Sequence, residues 1–259
     1  MKKKFSDLSG PVLTAIMAGE TPSEFVAQMK NAQEAGAQAI AIDLFDLSAE
    51  QRHLEALQSI IAAIKLPVMA IAYRNDRIYG GDDEKRQELL RLAARAGAAM
   101  IDVMADLYDP SEREISRNPE ALARQRELIA EYQSLGAEVV LSSHTNCPLD
   151  RHETLEHLQS LAARGADVVK LVSTVNNGSE LAEAFAATLL LKERLSLPFI
   201  HLCSGSFSRP HRLLCPLLGT KIYFALERHS AKYPSFPQPS IKSMLAVMQN
   251  AHWHIDEML

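Results

Sequence analysis

Eight short apolar runs, rich in valine and isoleucine, alternate along the chain with longer stretches of helical periodicity. Most of these runs are apolar throughout, a pattern typical of parallel strands that are buried on both faces. The predicted strands are Pro11–Ala18, Ala39–Phe45, Pro67–Tyr73, Ala99–Ala105, Ala137–Ser143, Asp167–Val175, Pro198–Ser204 and Thr220–Leu226.

The stretches between the apolar runs carry the start and stop patterns of amphipathic helices. Thr21–Gly36 begins with Thr-Pro-Ser-Glu and ends on glycine. Asp82–Gly97 and Asp150–Gly165 combine an acidic start with a terminal glycine. Proline and acids in the first turn and glycine after the last turn all favour helices over these ranges. A last helix is predicted over Pro239–Met258.

The strict alternation of eight strand–helix units predicts the fold class. Such a pattern indicates α/β architecture with a parallel sheet, and eight units allow the sheet to close into a (β/α)₈ TIM barrel. The 259 residues fit one such barrel, so residues 1–259 are predicted to form a single domain. The alternative is an open doubly wound sheet, but no Gly-x-Gly-x-x-Gly follows the first strand to support it.

Composition narrows the class of protein further. The chain is 47% hydrophobic and 23% charged, with a net charge of −5, and its basic residues do not cluster as a nucleic-acid surface requires. No apolar run approaches the roughly 20 residues of a membrane span, and the basic start does not lead into a signal peptide. Cys147, Cys203 and Cys215 match no zinc or redox spacing. We therefore expect a reduced, cytoplasmic protein.

Candidate catalytic residues are sought at the C-terminal ends of the predicted strands, where barrel enzymes carry their active sites. Lys170 lies within the sixth apolar run, and His144 ends the fifth. A buried lysine that loses its proton is an amine nucleophile toward carbonyl groups, and imidazole moves protons near neutral pH. Lys170 could instead reach solvent or an ion pair, and His144 could be a hydrogen-bonded residue at a strand end.

Two arginines at the same end of the predicted barrel suit an anionic substrate. Arg74 follows the third strand and Arg212 opens the helix after the seventh, where helix N–H groups also favour anions. Arg74 could instead pair with a loop aspartate, and Arg209 and His211 are rivals of Arg212. Asp43 lies near the C-terminal end of the second predicted strand, but no Glu or His companion accompanies it as a metal ligand, so neither metal nor cofactor is expected.

In this order, the motifs resemble the type I 3-dehydroquinate dehydratases of the shikimate pathway. The similarity is distant, covers the whole chain and depends on several short segments together. They are Ile-Ala-Tyr-Arg74 with Gly80-Gly81, Ser-Ser-His144, Gly-Ala-Asp-Val-Val-Lys170, Arg212-Leu-Leu-Cys-Pro-Leu-Leu-Gly219, and Pro-Ser-Phe-Pro-Gln238.

The resemblance implies a role for each matched residue. Lys170 would form a Schiff base with a ketone, His144 would move protons, and Arg212 would grip a carboxylate. The loop that contains Ser235 and Gln238 would close over the ligand.

Several positions depart from the family's pattern. Tyr79 replaces the glutamate that hydrogen-bonds the catalytic histidine in the family, which suggests that the Tyr79 hydroxyl takes over that contact. Only Asp43 remains of the family's Glu-x-Arg-x-Asp in the second strand, so the substrate is expected to differ from 3-dehydroquinate in its hydroxyl pattern.

These observations together predict a Schiff-base dehydratase acting on a small, anionic, cyclic or sugar-like β-hydroxy ketone. That ketone is either 3-dehydroquinate or, as the second strand favours, a related substrate. A class I aldolase and a non-catalytic metabolite-binding barrel remain as alternatives. We expect a homodimer, with His252, Trp253 and His254 as packing or interface residues, and no nucleic-acid or membrane partner.

Overall fold

The computed structural model describes residues 3–233 and 237–251, and within them eight parallel strands alternate with α-helices. The strands are β1 (Val12–Ala18), β2 (Ala39–Asp43), β3 (Val68–Ile71), β4 (Met100–Met104), β5 (Glu138–His144), β6 (Val168–Thr174), β7 (Phe199–Ser204) and β8 (Ile222–Ala225).

The helices follow the strands around the sheet. They are α1 (Pro22–Glu34), α2 (Leu54–Ala62), α3 (Asp83–Arg95), α4 (Pro119–Ser134), α5 (Arg151–Ala162), α6 (Gly178–Arg194), α7 (Ser208–Leu214) and α8 (Ile241–Asn250). The predicted caps form: Thr21 and Asp82 accept hydrogen bonds from backbone N–H groups in their first turns, and Asp150 and Glu153 make a capping box. No helix of the described residues is both long and apolar enough to cross a bilayer.

The sheet curls into a TIM barrel, which confirms the predicted fold class. Neighbouring strands pair in parallel from β7 through β6, β5, β4, β3, β2 and β1 to β8. At the seam, the backbone N–H of Lys221, just before β8, donates to the carbonyl of Phe199 in β7 at 2.8 Å. All eight C-terminal strand ends therefore open on one mouth.

Side chains alternate between the barrel interior and the helical layer, so each strand is buried on both faces. The interior cluster holds residues such as Ala41, Met69, Val140, Ile200 and Phe224. A larger cluster packs the outer faces of the strands against the helices. Interior positions near the strand ends are consequently the ones that can meet a ligand.

The predicted element bounds differ from the structure mainly at the ends. β3 ends at Ile71 rather than Tyr73, so Tyr73 lies just beyond the strand. The last helix runs from Ile241 to Asn250 rather than from Pro239 to Met258. The predicted interface residues His252, Trp253 and His254 lie outside the described residues.

Candidate active site

Lys170 lies in the middle of β6 with its side chain inside the barrel, where the sequence places it. The residue is only 3% exposed, and its Nζ lies 3.1 Å from Asp102 Oδ2 and 2.5 Å from the hydroxyl of Tyr73. The Phe224 ring packs 5.4 Å from the same nitrogen. A buried amine is costly without partners, and Asp102 and Tyr73 are the partners that make this position tenable.

Tyr73 and Asp102 join Lys170 in one hydrogen-bonded group that also includes Ser142 of β5. Asp102 Oδ2 accepts from the Tyr73 hydroxyl at 2.5 Å, and Oδ1 accepts from Ser142 Oγ at 2.5 Å. Burial, followed by the charge of Asp102, raises the pKa of Tyr73 well above its usual value. Tyr73 therefore stays a protonated hydrogen-bond donor beside the amine.

His144 ends β5 and is held by Glu114 from the loop between β4 and α4. One carboxylate oxygen of Glu114 lies 2.9 Å from His144 Nδ1 and also accepts the His144 backbone N–H at 2.8 Å. Burial opposes ionisation of Glu114, but the hydrogen bonds and charge of His144 outweigh it and lower the pKa of Glu114. With Nδ1–H donating to Glu114, Nε2 is the nitrogen available for proton transfer.

The aromatic ring of Tyr73 connects the Lys170 group with the His144–Glu114 pair. Its ring packs edge-on against the His144 imidazole, with centroids 4.9 Å apart and an interplanar angle of 74°. The hydroxyl of the same ring contacts Lys170. The predicted lysine and histidine are therefore brought together, and Tyr73 is the side chain between them.

Tyr79 does not occupy the place predicted for it. Its ring packs on the guanidinium of Arg52, whose Cζ lies 4.5 Å from the ring centroid, and Arg52 is in turn paired with Asp76. The carboxylate on His144 comes from Glu114. The structure thus corrects the expected Tyr79–His144 contact: the longer loop after β3 carries Tyr79 to Arg52, and a different loop supplies an acid.

Arg74 lies at the mouth of the barrel, but its two terminal guanidinium nitrogens already donate hydrogen bonds to Asp106. Nη1 donates to both carboxylate oxygens of Asp106 at 2.8 and 2.9 Å, and Nη2 donates to the Asp106 carbonyl. Asp83 lies 3.6 Å from Nε. The partner Asp106 follows the neighbouring strand β4 and does not belong to the loop between β3 and α3. This geometry favours a role for Arg74 in fixing the loops rather than in binding an anion.

Asp43 is buried at the end of β2, close to the lysine group. Its carboxylate accepts the backbone N–H of Phe45 at 3.3 Å. Burial is the largest influence and raises the pKa of Asp43 to about 7, against the opposing effects of the Phe45 hydrogen bond and the Lys170 charge. Asp43 can therefore exchange a proton near neutral pH.

Arg212 and Gln238 line a cavity of about 920 Å³ on the β7–β8 side of the mouth. Arg212 lies in the last turn of α7 rather than at its start, where the sequence had predicted it, so the N–H groups at the start of the helix are not beside it. Its Nε donates to the carbonyl of Cys203 at 2.6 Å, which fixes the guanidinium at the cavity wall. Gln238 Oε1 is buried and has no hydrogen-bond partner among the residues that the structure describes, so it can accept from a ligand. Ser235, predicted to act beside Gln238, lies outside the described residues.

A buried cluster supports Arg212 from the helical side of β7. Among the described residues, His201, Cys203 and His211 form the group whose ligand atoms could hold a metal, all within 4.8 Å of one another. The Thr188 hydroxyl already bonds both imidazoles, at 2.9 Å from His201 Nδ1 and 2.8 Å from His211 Nε2. Burial lowers the pKa of His201 to about 4 and that of His211 well below its usual value. The cluster is thus a neutral hydrogen-bonded support for the Arg212 segment.

Gly205 joins the ends of β6 and β7 at close quarters. Its φ is +89°, and a Cβ added there would lie 2.4 Å from the carbonyl oxygen of Val175. The same carbonyl accepts the Phe207 backbone N–H at 3.1 Å. Only glycine allows this approach without displacement, so the loop that leads to Arg212 is tied to the strand that carries Lys170.

Sequence reasoning missed Glu114 and Tyr73 as site residues. Glu114 has a φ of +46° in an irregular loop, and nothing in the local sequence marks such a turn as facing His144. Tyr73 lies two residues after Ile71, whose side chain faces the barrel interior. Because alternate residues of a strand face the same side, this spacing could have identified Tyr73 as an interior residue. Asp102 has a similar signal, a carboxylate in the middle of an otherwise apolar strand.

Comparisons with known proteins identify the family of the chain. A family model described as type I 3-dehydroquinase matches residues 13–253. The bifunctional 3-dehydroquinate dehydratase/shikimate dehydrogenase of Arabidopsis thaliana chloroplasts is 28% identical over 243 residues, covering 90% of this chain and 36% of that protein. The 3-dehydroquinate dehydratase of Desulfotalea psychrophila is 28% identical over 147 residues, covering 56% of this chain and 59% of that protein. The chain thus spans about a third of the one and about three fifths of the other.

Among solved structures, the 3-dehydroquinate dehydratase of Geobacillus kaustophilus has the same fold. It superposes with a TM-score of 0.78 at 15% sequence identity, covering 97% of this chain and 98% of that one. At this identity the likeness concerns the fold alone.

Proposed function

The chain belongs to the type I 3-dehydroquinase family, and on that basis we propose that it is a Schiff-base dehydratase acting on a β-hydroxy keto acid. The observation that carries the proposal is the pairing of a buried Lys170 with a carboxylate-bound His144 around one ring, that of Tyr73. The family match favours a dehydratase over the class I aldolase and the non-catalytic barrel.

In the proposed reaction, Lys170 Nζ attacks the ketone carbon and the carbonyl oxygen leaves as water, which gives a protonated Schiff base. Its positive charge acidifies the adjacent C–H. His144 Nε2 takes that proton, and the electron pair of the resulting enamine expels the β-hydroxyl group. The hydroxyl leaves as water with the proton from the imidazolium. Hydrolysis of the imine then releases the unsaturated ketone and restores the Lys170 amine.

The substrate is proposed to carry a carboxylate that Arg212 binds. Arg212 is anchored at the cavity wall, whereas Arg74 is committed to Asp106. On the interior face of β2 the polar side chain is Asp43, because Ala39 and Ala41 face the interior and offer no hydrogen bond. A site without partners for substrate hydroxyls discriminates against a substrate that must bury them. We therefore propose that 3-dehydroquinate is a poor substrate and that the true substrate has fewer hydroxyl groups on that side.

Borohydride trapping tests the proposal. The protein is incubated with a keto acid and sodium borohydride, and its intact mass is measured. We expect one ligand mass to be added to the wild type and none to Lys170→Met, whose thioether side chain fills a similar volume. Lys65→Met, which changes an exposed lysine, is the matched control and should trap like the wild type. Equal labelling of Lys170→Met and the wild type would refute a Schiff base on Lys170.

Assembly also stays a proposal. A homodimer remains the expectation, and light scattering after size-exclusion chromatography measures it directly. A molar mass equal to one chain of 28.6 kDa would contradict it.

A further inference from the structure

Tyr73 holds a position in the site that the proposed roles of Lys170 and His144 leave unused. Its hydroxyl lies 2.5 Å from Lys170 Nζ and 2.5 Å from Asp102 Oδ2, so it bridges the amine and a carboxylate. Asp102 also accepts from Ser142 and lies 3.1 Å from Lys170 Nζ. The amine can therefore exchange protons with Asp102 through one hydroxyl.

The hydroxyl is suited to pass protons rather than to store charge. Because burial and the neighbouring carboxylate keep the phenol protonated, its O–H donates to Asp102 while its oxygen accepts from Lys170. Taking a proton from nitrogen and giving one to Asp102 leaves Tyr73 unchanged. His144 has its own carboxylate in Glu114, so the site contains two separate acid–base pairs.

We propose that Tyr73 is a catalytic residue that carries protons between Lys170 and the carbonyl oxygen while the Schiff base forms and hydrolyses. This inference rests on the proposed Schiff-base function. It divides the chemistry between Tyr73 with Asp102, which serve the imine steps, and His144 with Glu114, which serve the elimination of water.

The imine step balances with the groups at hand. The Lys170 ammonium gives one proton through Tyr73 to Asp102, and the freed Nζ lone pair forms the C–N bond as the carbonyl electron pair moves to oxygen. The oxygen then receives the proton stored on Asp102 and a second proton from Nζ, both through the Tyr73 hydroxyl. The C–O bond breaks, water leaves, and the nitrogen lone pair forms the C=N bond. The net change is Lys–NH₃⁺ plus ketone to Lys–NH⁺=C plus water.

The test separates imine formation from elimination. The probe is 3-oxocyclohexanecarboxylate, a keto acid without a β-hydroxyl group, so only the imine steps can occur; 3-dehydroquinate is used in parallel. Two rates are measured: borohydride trapping, and exchange of the ketone oxygen with ¹⁸O-labelled water. Tyr73→Phe should lower both by about 100-fold or more, the usual contribution of a general acid–base group. Tyr223→Phe, which removes the hydroxyl of a buried β8 tyrosine on the helical side of the barrel, should change neither.

The outcomes are distinguishable. Imine rates for Tyr73→Phe equal to those of the wild type would overturn the role of Tyr73 and leave the proposed function standing. If the wild type shows neither trapping nor oxygen exchange with both 3-oxocyclohexanecarboxylate and 3-dehydroquinate, the proposed function is overturned, and this inference with it. If Tyr73→Phe does not fold, as judged by circular dichroism, Asp102→Asn takes its place and should show the same loss.

Discussion

The buried histidine beneath Arg212 should make the stability of the fold depend on pH. His201 is fully buried, and burial lowers its pKa from 6.5 to about 4. The unfolded chain therefore binds a proton more readily than the folded one between these values, and the folded state loses stability as the pH falls through this window. Above about pH 6.5 the contribution of His201 is fully present.

The size of the effect follows from the two pKa values. At pH 5, linkage between 6.5 in the unfolded chain and about 4 in the fold amounts to about 2 kcal/mol from this one residue. His201→Asn removes the titration but keeps a side-chain N–H that can donate to Thr188, as His201 Nδ1 does at 2.9 Å. The variant loses packing at every pH, so the informative quantity is the change in unfolding free energy between pH 7.5 and pH 5.

Urea unfolding followed by far-ultraviolet circular dichroism at the two pH values measures this change. Between pH 7.5 and pH 5, the wild type should lose about 2 kcal/mol more than His201→Asn. His152→Asn is the matched control, because His152 is exposed on α5 and meets nearly the same surroundings when the chain unfolds. The reasoning is refuted if wild type and His201→Asn lose the same free energy over this range.

Three further predictions follow from the site. Glu114→Gln should lower turnover about 100-fold, because an amide holds the His144 imidazolium less well than a carboxylate, and steady-state assays at several pH values measure the loss. Between pH 5 and pH 8 the wild type should lose about 2.6 kcal/mol of unfolding free energy more than Asp43→Asn. With a folded pKa near 7, Asp43 stabilises the fold when protonated and loses that contribution as the pH rises, and urea titrations at both pH values test the sign. Gly205→Ala should be less stable than Gly136→Ala by about 2 kcal/mol in thermal unfolding, because both positions have φ near +90° but only Gly205 meets backbone, at Val175; equal losses would contradict the close contact.

The fold could be predicted because both faces of every strand are buried. Runs such as Pro67–Tyr73 are apolar throughout rather than alternating, which indicates parallel strands covered on both faces, and eight strand–helix units allow such a sheet to close into a barrel. Boundaries were less certain, because the local pattern does not reveal where tertiary hydrogen bonding stops. Tyr73 continues the apolar pattern of β3 but lies beyond its last ladder residue.

The candidate site was only partly predictable for a related reason. Lys170 and His144 lie on strands, whose side-chain direction follows from the alternation of the sheet, so their meeting could be inferred. Glu114 and Tyr79 lie on loops, where one inserted residue or one positive φ redirects a side chain completely. The acidic partner of the histidine was therefore expected from the wrong loop.

The contact at Gly205 has a consequence for the distance between the guanidinium of Arg212 and the amine of Lys170. Since the loop that begins at Gly205 packs on the carbonyl of Val175, just after β6, the segment leading to Arg212 is joined to the strand that carries Lys170. We expect this contact to limit how far the two groups can move relative to each other when a ligand binds. Under the proposed function, a keto acid can occupy both groups only if the distance between its carboxylate and its ketone matches that separation. Selection among keto acids would then depend on the spacing of two functional groups along the molecule as well as on its hydroxyl groups.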